Sequence, residues 1–321
     1  MPKTRVFIAG HKGMVGSAIV KLMKKFDTFE LIFADKTTLD LTDQIDTQRF
    51  IRENDLDLII LAAAKVGGIK ANNIYPAEFI YSNLMIECNT IHAAFLAKVP
   101  KILFLGSSCI YPKMCKQPMT ESDLLTGTLE PTNEAYAIAK ISGIKLCESY
   151  NRQFGTDYRS IMPTNLYGPR DNFSLENSHV VPALLRKFHE AKVSGIDHVE
   201  VWGTGKARRE FLYVDDMAQA CMKVIDLPKD QYQKITKPHC SHINAGFGSD
   251  ISIKDLALTI KDVVGYNGDI RFNPLKPDGT PKKLLDTSLL MSQGWKPNID
   301  LRNGLLTTYD WFIKNRQTLR F

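Results

Sequence analysis

The sequence lacks the features that mark several large classes of protein. Its 321 residues contain no apolar run of membrane-spanning length, no internal repeat and no low-complexity segment. The first residues lead straight into a short apolar stretch without the pattern of a signal peptide. With 44% hydrophobic and 24% charged residues, the composition is that of a globular protein. We therefore expect a cytoplasmic protein with no membrane partner.

Cysteines and charges exclude two further kinds of site. The six cysteines show no CxxC pair and no zinc-ligand spacing, so we expect free thiols in a reducing compartment and no metal centre. The formal net charge is +6, but the basic residues are scattered along the chain rather than clustered. This distribution does not indicate a nucleic-acid partner, whereas a mild positive excess suits an anionic small molecule.

A glycine-rich turn follows the first apolar stretch. Residues 5–9 predict a strand, and an amphipathic helical pattern begins directly after Gly16. In this context Gly10 permits a tight turn, Gly13 lets the backbone approach a pyrophosphate, and Gly16 allows close helix packing. The helix amino terminus then faces the phosphates. The spacing is Gly-x-x-Gly-x-x-Gly, so the alternative is an ordinary turn between a strand and a helix.

Two residues at the end of the second predicted strand bear on which dinucleotide binds. Asp35 and Lys36 stand where the adenosine ribose should lie. An acidic residue there favours a free 2′-hydroxyl group, and a cation favours a 2′-phosphate. Lys12 adds a second cation from the glycine turn, so the sequence favours NADP while Asp35 leaves NAD open.

Strand-like and helix-like stretches alternate through much of the chain. The predicted strands that begin this pattern are residues 5–9, 30–34, 57–63, 101–106 and 158–163. The alternation predicts an α/β fold with a doubly wound, parallel Rossmann-type sheet, which binds ligands beyond the carboxyl ends of its strands. The rhythm lapses over 171–209. We therefore expect residues 1–170 with 210–247 to bind the dinucleotide, and 171–209 with 248–321 to form a smaller, mainly C-terminal substrate-binding lobe.

Tyr136 and Lys140 are the first catalytic candidates. They lie four residues apart in a stretch of helix formers that follows Pro131, so a helix places both on one face. A neighbouring ammonium stabilises a phenolate and is expected to lower the pKa of Tyr136. Such a tyrosine can give a proton to a carbonyl oxygen as hydride reaches its carbon. The spacing alone is weak evidence, because ordinary surface helices also carry it.

Ser107, Ser108 and Cys109 follow the fourth predicted strand, at the edge of the sheet where ligands bind. Ser107 is a candidate hydrogen-bond donor to a carbonyl beside Tyr136, with a helix-capping serine as the alternative. Cys109 is either a small buried hydrophobe or, near a lysine and a helix terminus, a partly ionised thiol that acts as a base.

The stretch where the rhythm lapses carries a further set of candidates: His179, Lys187, Trp202 and Arg209. A cation and an aromatic side chain together suit a nucleotide diphosphate and its base. The alternatives are a solvated surface histidine and a tryptophan that belongs to the core.

Seven stretches together resemble the extended short-chain dehydrogenase/reductase family, and the resemblance covers the whole chain. They are FIAGHKGMVGS, LAAAKVGGI, FLGSSCIYP, EPTNEAYAIAK, MPTNLYGP, REFLYVDD and KPDGTP. The resemblance implies an NADP-dependent epimerase and oxidoreductase that inverts C3 and C5 of GDP-4-keto-6-deoxy-D-mannose and then reduces its C4 ketone. The alternatives are another nucleotide-sugar epimerase or reductase of this family and a non-enzymatic dinucleotide-binding protein. The family tends to carry arginine where this chain has Lys12 and Lys36.

The resemblance also implies roles for single residues and a homodimer built through helices. Ser107, Tyr136 and Lys140 form the implied catalytic triad, and Cys109 and His179 are the implied base and acid for epimerisation. The implied contacts to NADP(H) are Gly10, His11, Lys12, Gly13, Met14, Val15, Gly16, Lys36, Leu41, Leu105, Gly106, Ser107, Ser108, Lys140, Pro163, Thr164, Asn165, Leu166 and His179. The implied contacts to the GDP-sugar are Lys187, Trp202, Arg209 and Asp278.

Overall fold

The structure is a computed structural model that describes residues 2–175, 178–276 and 278–317. Its strands are β1 (Thr4–Ala9), β2 (Phe29–Ile32), β3 (Leu58–Leu61), β4 (Lys101–Leu105), β5 (Asp157–Pro163), β6 (Asn165–Tyr167), β7 (His198–Trp202), β8 (Arg208–Tyr213), β9 (His242–Ala245), β10 (Asp250–Ser252), β11 (Asp269–Asn273) and β12 (Lys282–Lys283). Its α-helices are α1 (Met14–Met23), α2 (Gln44–Glu53), α3 (Ile69–Ile74), α4 (Pro76–Leu96), α5 (Glu134–Phe154), α6 (Val180–Ser194), α7 (Val214–Asp226), α8 (Lys229–Ile235), α9 (Ile253–Val264), α10 (Ser288–Ser292) and α11 (Leu301–Asn315). No helix among these residues has the length and apolar character to cross a membrane.

Six parallel strands form the central sheet in the order β2-β1-β3-β4-β5-β9. Side chains alternate between its two faces, so β1 buries Val6 and Ile8 in one hydrophobic cluster and Phe7 and Ala9 in the other. Helices α1 and α7 cover the first face, and α2, α4 and α5 cover the second. The predicted doubly wound, Rossmann-type sheet is therefore confirmed.

A third hydrophobic cluster lies outside the central sheet and joins α6, β7, β8, α9 and α11. The prediction that the rhythm lapses over 171–209 was wrong in part, because α6 and β7 lie there. Helix α6 buries Val181, Leu184, Leu185 and Phe188, which is helical spacing, and β7 buries alternate residues. How the chain divides into a dinucleotide-binding part and a substrate lobe stays a prediction.

The segment after β5 forms a short strand outside the central sheet. Residues 165–167 form β6, which pairs in parallel with Phe211 to Tyr213 of β8 rather than with the central sheet. The ring of Tyr167 is buried against Tyr213 at a centroid distance of 5.6 Å. Ring packing between the two strands therefore fixes this segment as a strand, although its turn-forming residues Gly168 and Pro169 follow immediately.

Helix α5 carries both catalytic candidates near its amino end. A 3₁₀ turn over Pro131–Asn133 precedes it, and Gly155, at φ +68°, ends it in the left-handed conformation that favours glycine. Tyr136 and Lys140 lie in its first two turns, on the side that faces the carboxyl edge of the sheet. The predicted helix and the shared face of these two residues are confirmed.

A buried arginine ties the sheet to the end of α7. Arg159 of β5 is fully buried, and its guanidinium donates to both carboxylate oxygens of Asp157 at 2.7 Å. It also donates to the carbonyl oxygens of Val224, at 2.6 Å, and Leu227, at 2.7 Å. The last carbonyls of a helix have no partner within the helix, so Arg159 satisfies groups that burial would otherwise leave unpaired.

We expect Arg159→Met to lower the free energy of unfolding by about 3–5 kcal/mol, because it leaves a carboxylate and helix-end carbonyls without their charged partner. Equilibrium urea denaturation measures this loss. The control is Arg49→Met, which removes an exposed pair with Asp46 on α2 and should cost about 0–1 kcal/mol. Equal losses in the two variants would contradict the role assigned to Arg159.

Candidate active site

A cavity of about 930 Å³ opens at the carboxyl edge of the central sheet. The segments that follow β1 to β5 build its wall, together with residues from α4, α5 and the start of α6. Every residue predicted to contact NADP(H), from the glycine turn to His179, lines this cavity. The structure thus brings these residues together, while their contact with the cofactor stays a prediction.

The glycine turn at one end of the cavity has the form that a pyrophosphate requires. Gly10 lies at φ +85°, and a Cβ atom on Gly16 would lie 2.2 Å from the carbonyl oxygen of Gly10. Helix α1 therefore packs directly on the turn. Gly13 precedes this helix, and no side chain caps the amide groups of its first turn. Uncapped amides at a helix amino terminus bind phosphate, so these residues fit a dinucleotide.

At the expected ribose position, Asp35 is held by close hydrogen bonds, whereas Lys36 stays exposed. The Asp35 carboxylate accepts hydrogen bonds from Lys12 Nζ at 2.7 Å and from the Thr37 hydroxyl at 2.5 Å. The bond from Lys12 is the main cause that lowers the pKa of Asp35, and Thr37 lowers it further. Lys36 makes a looser pair with Asp40, at 3.7 Å, and stays exposed. The acid is thus already engaged, which favours a cofactor with a 2′-phosphate.

Lys140 is buried beneath Tyr136 with two partners. Its Nζ donates to the carbonyl oxygen of Leu105 at 3.0 Å and lies 3.1 Å from Oε1 of Glu87. The same Nζ is 5.8 Å from the centroid of the Tyr136 ring. Each partner of Lys140 comes from a different element, so the ammonium fixes α5 against both β4 and α4.

The predicted fall in the pKa of Tyr136 was wrong. Burial raises this pKa well above its ordinary range, and the nearby Cys109 and Glu87 raise it further, whereas the Ser107 hydroxyl lowers it. The physical reason is that the positive charge of Lys140 is shared with Glu87 and does not outweigh desolvation. Tyr136 is therefore a neutral hydroxyl that holds its proton.

Ser107 both caps a turn and interacts with the candidate catalytic residue Tyr136. Its Oγ accepts the backbone N–H of Cys109 at 3.4 Å, as the cap of the 3₁₀ turn over Ser108–Ile110. The capping alternative and the predicted place beside Tyr136 therefore both hold. Cys109 is buried, and burial raises the pKa of its thiol, although Lys283, Ser107 and Lys140 lower it. Of the two alternatives for Cys109, the resting structure therefore favours the small buried side chain over the partly ionised thiol.

His179 stands directly before α6 and lines the cavity. Its ring is accessible from the cavity, yet the protein surrounds it closely enough that desolvation lowers the pKa of the imidazole. The positive charge of Lys283 lowers this pKa further. His179 is therefore a neutral imidazole that lies near a lysine rather than a solvated surface histidine.

A hydrogen-bond network anchors the loop that carries Ser107 and Cys109. The hydroxyl of Tyr111 donates to Oδ1 of Asn244 at 2.5 Å and lies 3.1 Å from Nε2 of His242. Both partners belong to β9, the last strand of the central sheet. The SSCIYP stretch is therefore held by a buried tyrosine at its far end, which gives a physical reason for its distinctive sequence.

The four residues predicted to contact the GDP-sugar form two pairs, Lys187 with Trp202 and Arg209 with Asp278. Lys187 Nζ lies 5.5 Å from the Trp202 ring centroid, and Lys276 Nζ lies 5.4 Å from the same centroid. Arg209 donates to the carbonyl oxygen of Asp278 at 3.3 Å. Trp202 is 46% exposed, so it does not belong to the core. An exposed indole among cations suits a base and a diphosphate.

Sequence reasoning missed Lys283, Asp171 and Glu87. Lys283 pairs in register with Arg209, and its charge acts on both Cys109 and His179. Asp171 lines the cavity, and burial raises its pKa to about 7. Proximity to the KPDGTP stretch was a signal for Lys283, and proximity to MPTNLYGP was one for Asp171. Glu87 is one of two acids in a largely apolar helix, and nothing in the local sequence connects it with Lys140.

Comparison with known proteins agrees with this arrangement. Residues 6–245 match the model of the NAD dependent epimerase/dehydratase family. The chain belongs to this family. Among its members, the chain is 58% identical to a GDP-L-fucose synthase of Escherichia coli (strain K12), and the match covers 100% of both chains. The resemblance predicted from the sequence motifs is therefore confirmed.

Solved structures of other family members have the same fold. A GDP-L-fucose synthetase from Naegleria fowleri bound to NADP superposes with a TM-score of 0.88 at 26% identity, covering 100% of this chain and 97% of that one. A GDP-6-OMe-4-keto-L-xylo-heptose reductase from C. jejuni superposes with a TM-score of 0.91 at 37% identity, covering 98% of each chain. Both of these proteins are named as enzymes that act on GDP-sugars.

We expect the unmodified protein to bind NADPH more tightly than NADH, and Lys36→Ala to narrow the difference by roughly tenfold, the effect of one hydrogen bond to a charged group. Fluorescence titration with both cofactors measures the two affinities. The control is Lys254→Ala on α9, which should leave the ratio unchanged. Equal affinities in the unmodified protein would contradict the NADP preference and make Asp35 the ribose ligand.

Proposed function

We propose that this protein converts GDP-4-keto-6-deoxy-D-mannose to GDP-L-fucose, by epimerisation at C3 and C5 followed by NADPH-dependent reduction of the C4 ketone. The observation that carries the proposal is that the buried Cys109 lies beside Ser107 and Tyr136, while His179 lines the same cavity as those two hydroxyl groups. Reduction of a ketone needs a hydride and a proton donor but no thiol or imidazole. The similarity to GDP-L-fucose synthases supports the same conclusion.

Ser107 and Tyr136 are suited to stabilise an enolate. The 4-keto group acidifies the protons on C3 and C5, because the carbanion left behind delocalises onto the ketone oxygen. Two hydroxyl donors aimed at that oxygen stabilise its developing charge, as an oxyanion hole does. The neutral state of Tyr136 matters here, since only a protonated hydroxyl donates.

Cys109 and His179 are the proposed base and acid of the epimerisation. The thiol first has to lose its own proton, which burial opposes. Lys283 is the positive charge that most lowers the pKa of this thiol, so it is placed to stabilise the thiolate. In the proposed step the thiol gives its proton to water, and His179 takes a proton from water. The Cys109 thiolate then takes a carbon proton from one side of the sugar, and the imidazolium of His179 returns one from the other side.

Tyr136 is the proposed proton donor for reduction. Bound NADPH supplies the hydride for C4. As C4 changes from a ketone to an alcohol, its oxygen takes the proton of the Tyr136 hydroxyl and leaves a phenolate near Lys140. Lys140 is held for this role by the carbonyl oxygen of Leu105 and by Glu87.

The nucleotide end of the substrate is proposed to lie in the second lobe. Lys187 and Arg209 supply positive charge for the diphosphate, and Trp202 offers an exposed ring face for the base. Asp278 helps to shape this site, because its carboxylate accepts hydrogen bonds from the backbone and hydroxyl of Thr204 at 2.8 Å. The separation of this site from the cavity suits a long substrate with a sugar at one end.

A second candidate is reduction of a GDP-keto-sugar without epimerisation. It is favoured by the structural similarity to the C. jejuni heptose reductase, an enzyme named only as a reductase. The presence of Cys109 and His179 at the site favours the full sequence of steps. Retention of both Tyr136 and Lys140 argues against a non-enzymatic dinucleotide-binding protein.

The decisive experiment supplies GDP-4-keto-6-deoxy-D-mannose and NADPH in deuterated water and identifies the sugar formed. The unmodified protein should release GDP-L-fucose with deuterium at C3 and C5. Cys109→Ser should lose exchange, since a hydroxyl is a far poorer base than a thiolate, and His179→Gln should lose inversion. NADPH should still bind to both variants.

Tyr136→Phe is the comparison variant: it keeps the base and the acid but removes the proton donor for reduction and one of the two hydroxyl groups that stabilise the enolate. It should slow reduction by ~10²–10⁴-fold, the usual contribution of a general acid. Full exchange and inversion in both the Cys109 and His179 variants would reject the epimerase half of the proposal. A reduced product with uninverted centres from the unmodified protein would support the second candidate instead.

We propose further that the enzyme acts in the cytoplasm as a homodimer, paired through α4 and α5. All six cysteines are free, which suits a reducing compartment. The two helices expose large apolar side chains, among them Tyr81 and Leu96 of α4 and Phe154 of α5. Exposed apolar side chains grouped on packed helices are typical of a protein interface.

Light scattering should give a solution mass of twice the 36.2 kDa of one chain. Introducing charge with Tyr81→Glu and Leu96→Glu together should halve that mass, because a dimer would have to bury both carboxylates. The control is Leu258→Glu on α9, an equally exposed leucine in the other lobe, which should leave the mass unchanged. A single-chain mass for the unmodified protein would reject the homodimer.

A further inference from the structure

Glu87 lies in the middle of α4, where its carboxylate points toward α5 and is almost completely buried. Its exposed fraction is 1%, and that of its partner Lys140 is 2%. Their charged atoms are 3.1 Å apart. No hydrogen bond of good geometry reaches either oxygen of Glu87 from the described residues, so the attraction of Lys140 is the interaction that holds this carboxylate.

The fold leaves room for this pair. A Cβ atom on Gly143 of α5 would lie 2.8 Å from Oε2 of Glu87 and 2.4 Å from the Phe104 ring. The Phe104 ring in turn lies 4.8 Å from Lys140 Nζ, within the range of a cation–π contact. Gly143 on α5, which has no side chain, and the Phe104 ring on β4 thus leave a buried compartment that holds one carboxylate and one ammonium.

We propose that Glu87 is a positioning residue for the proposed reduction: its charge compensates Lys140 and so keeps the Tyr136 hydroxyl in its protonated, donating form. The proposal rests on the function assigned above. Lys140 alone, 5.8 Å from the phenol ring, would favour a phenolate. With Glu87 beside it the pair has no net charge, and Tyr136 keeps the proton that the C4 oxygen needs.

The other titratable groups around the pair do not supply this compensation. Those that interact with it or with Tyr136 are Cys88 on α4, Cys147 on α5 and Cys109 after β4. Burial raises the pKa of each of these thiols, so all three are neutral at rest. Burial raises the pKa of Glu87 as well, but Lys140, 3.1 Å away, lowers it, so Glu87 is the acid placed to meet the charge of Lys140 within the described part of this compartment.

The proton balance of the reduction explains why compensation matters. In the step, the O–H bond of Tyr136 breaks, an O–H bond forms at C4, and the phenolate is later reprotonated from water. Burial already raises the pKa of Tyr136, and Glu87 raises it further. Without Glu87 the positive charge of Lys140 would oppose the effect of burial, and Tyr136 would lose its proton at a lower pH. Glu87 thus extends to higher pH the range over which the Tyr136 hydroxyl keeps its proton.

The test is Glu87→Gln, which keeps the size of the side chain and removes its charge. Phenolate absorbance is titrated with pH, and the Tyr136 signal is isolated by subtracting the matching Tyr136→Phe variants. We expect Tyr136 in Glu87→Gln to ionise roughly 1–3 pH units lower than in the unmodified protein. The alkaline limb of the pH profile of kcat for reduction should move down by the same amount.

Two further variants separate this role from a structural one. Glu148→Gln removes another fully buried carboxylate, paired with Lys145 on α5, and should cost stability without moving the Tyr136 titration. Glu87→Asp keeps the charge but draws it away from Lys140, so it should give a smaller shift in the same direction. This graded variant also decides the question if Glu87→Gln does not fold.

Unchanged phenolate titrations in Glu87→Gln, or in Glu87→Asp where only that variant folds, would overturn the proposal. So would a shift of equal size in Glu148→Gln. The phenolate titration needs no substrate. Absence of turnover with the GDP-keto-sugar would therefore reject the proposed function, while the titration would still decide the role of Glu87.

Discussion

The ammonium of Lys140, buried where β4, α4 and α5 meet, is the constraint on which the rest of the site depends. A charge removed from water has to be paired, and its partners must approach within about 3 Å with little freedom of position. Leu105 and Glu87 meet this requirement, and they fix the two longest helices against the sheet. Tyr136, one turn before Lys140, takes its place at the cavity as a result.

Desolvation acts on Tyr136, Cys109 and His179 in the same direction, toward the neutral form of each. It raises the pKa values of the phenol and the thiol and lowers that of the imidazole. At rest, therefore, the Tyr136 hydroxyl and the Cys109 thiol are protonated, and the His179 imidazole is neutral. Chemistry that begins by removing a carbon proton has to recruit positive charge, and the two lysines nearest the thiol supply it. Lys140 comes from α5 and Lys283 from β12.

The sequence predicted the parts of this protein that depend on local pattern. Glycine spacing, buried strands and the four-residue separation of Tyr136 and Lys140 all follow from periods of a few residues, and the structure has each of them. The helix and the strand between Val180 and Trp202 were missed because the turn-forming residues before them drew attention away from the helical spacing of apolar residues in α6. The pKa of Tyr136 and the role of Glu87 depend on contacts between residues far apart in sequence, which local patterns do not contain.

The anchor of the Cys109 loop has a consequence for how the molecule is assembled. Tyr111 is synthesised early, but Asn244 and His242 arrive about 130 residues later, on the last strand of the sheet. A growing chain can therefore form the glycine turn and its cradle long before the thiol has its final support. A chain that ends before β9 would therefore contain the glycine turn but lack both side chains that anchor the loop of Cys109.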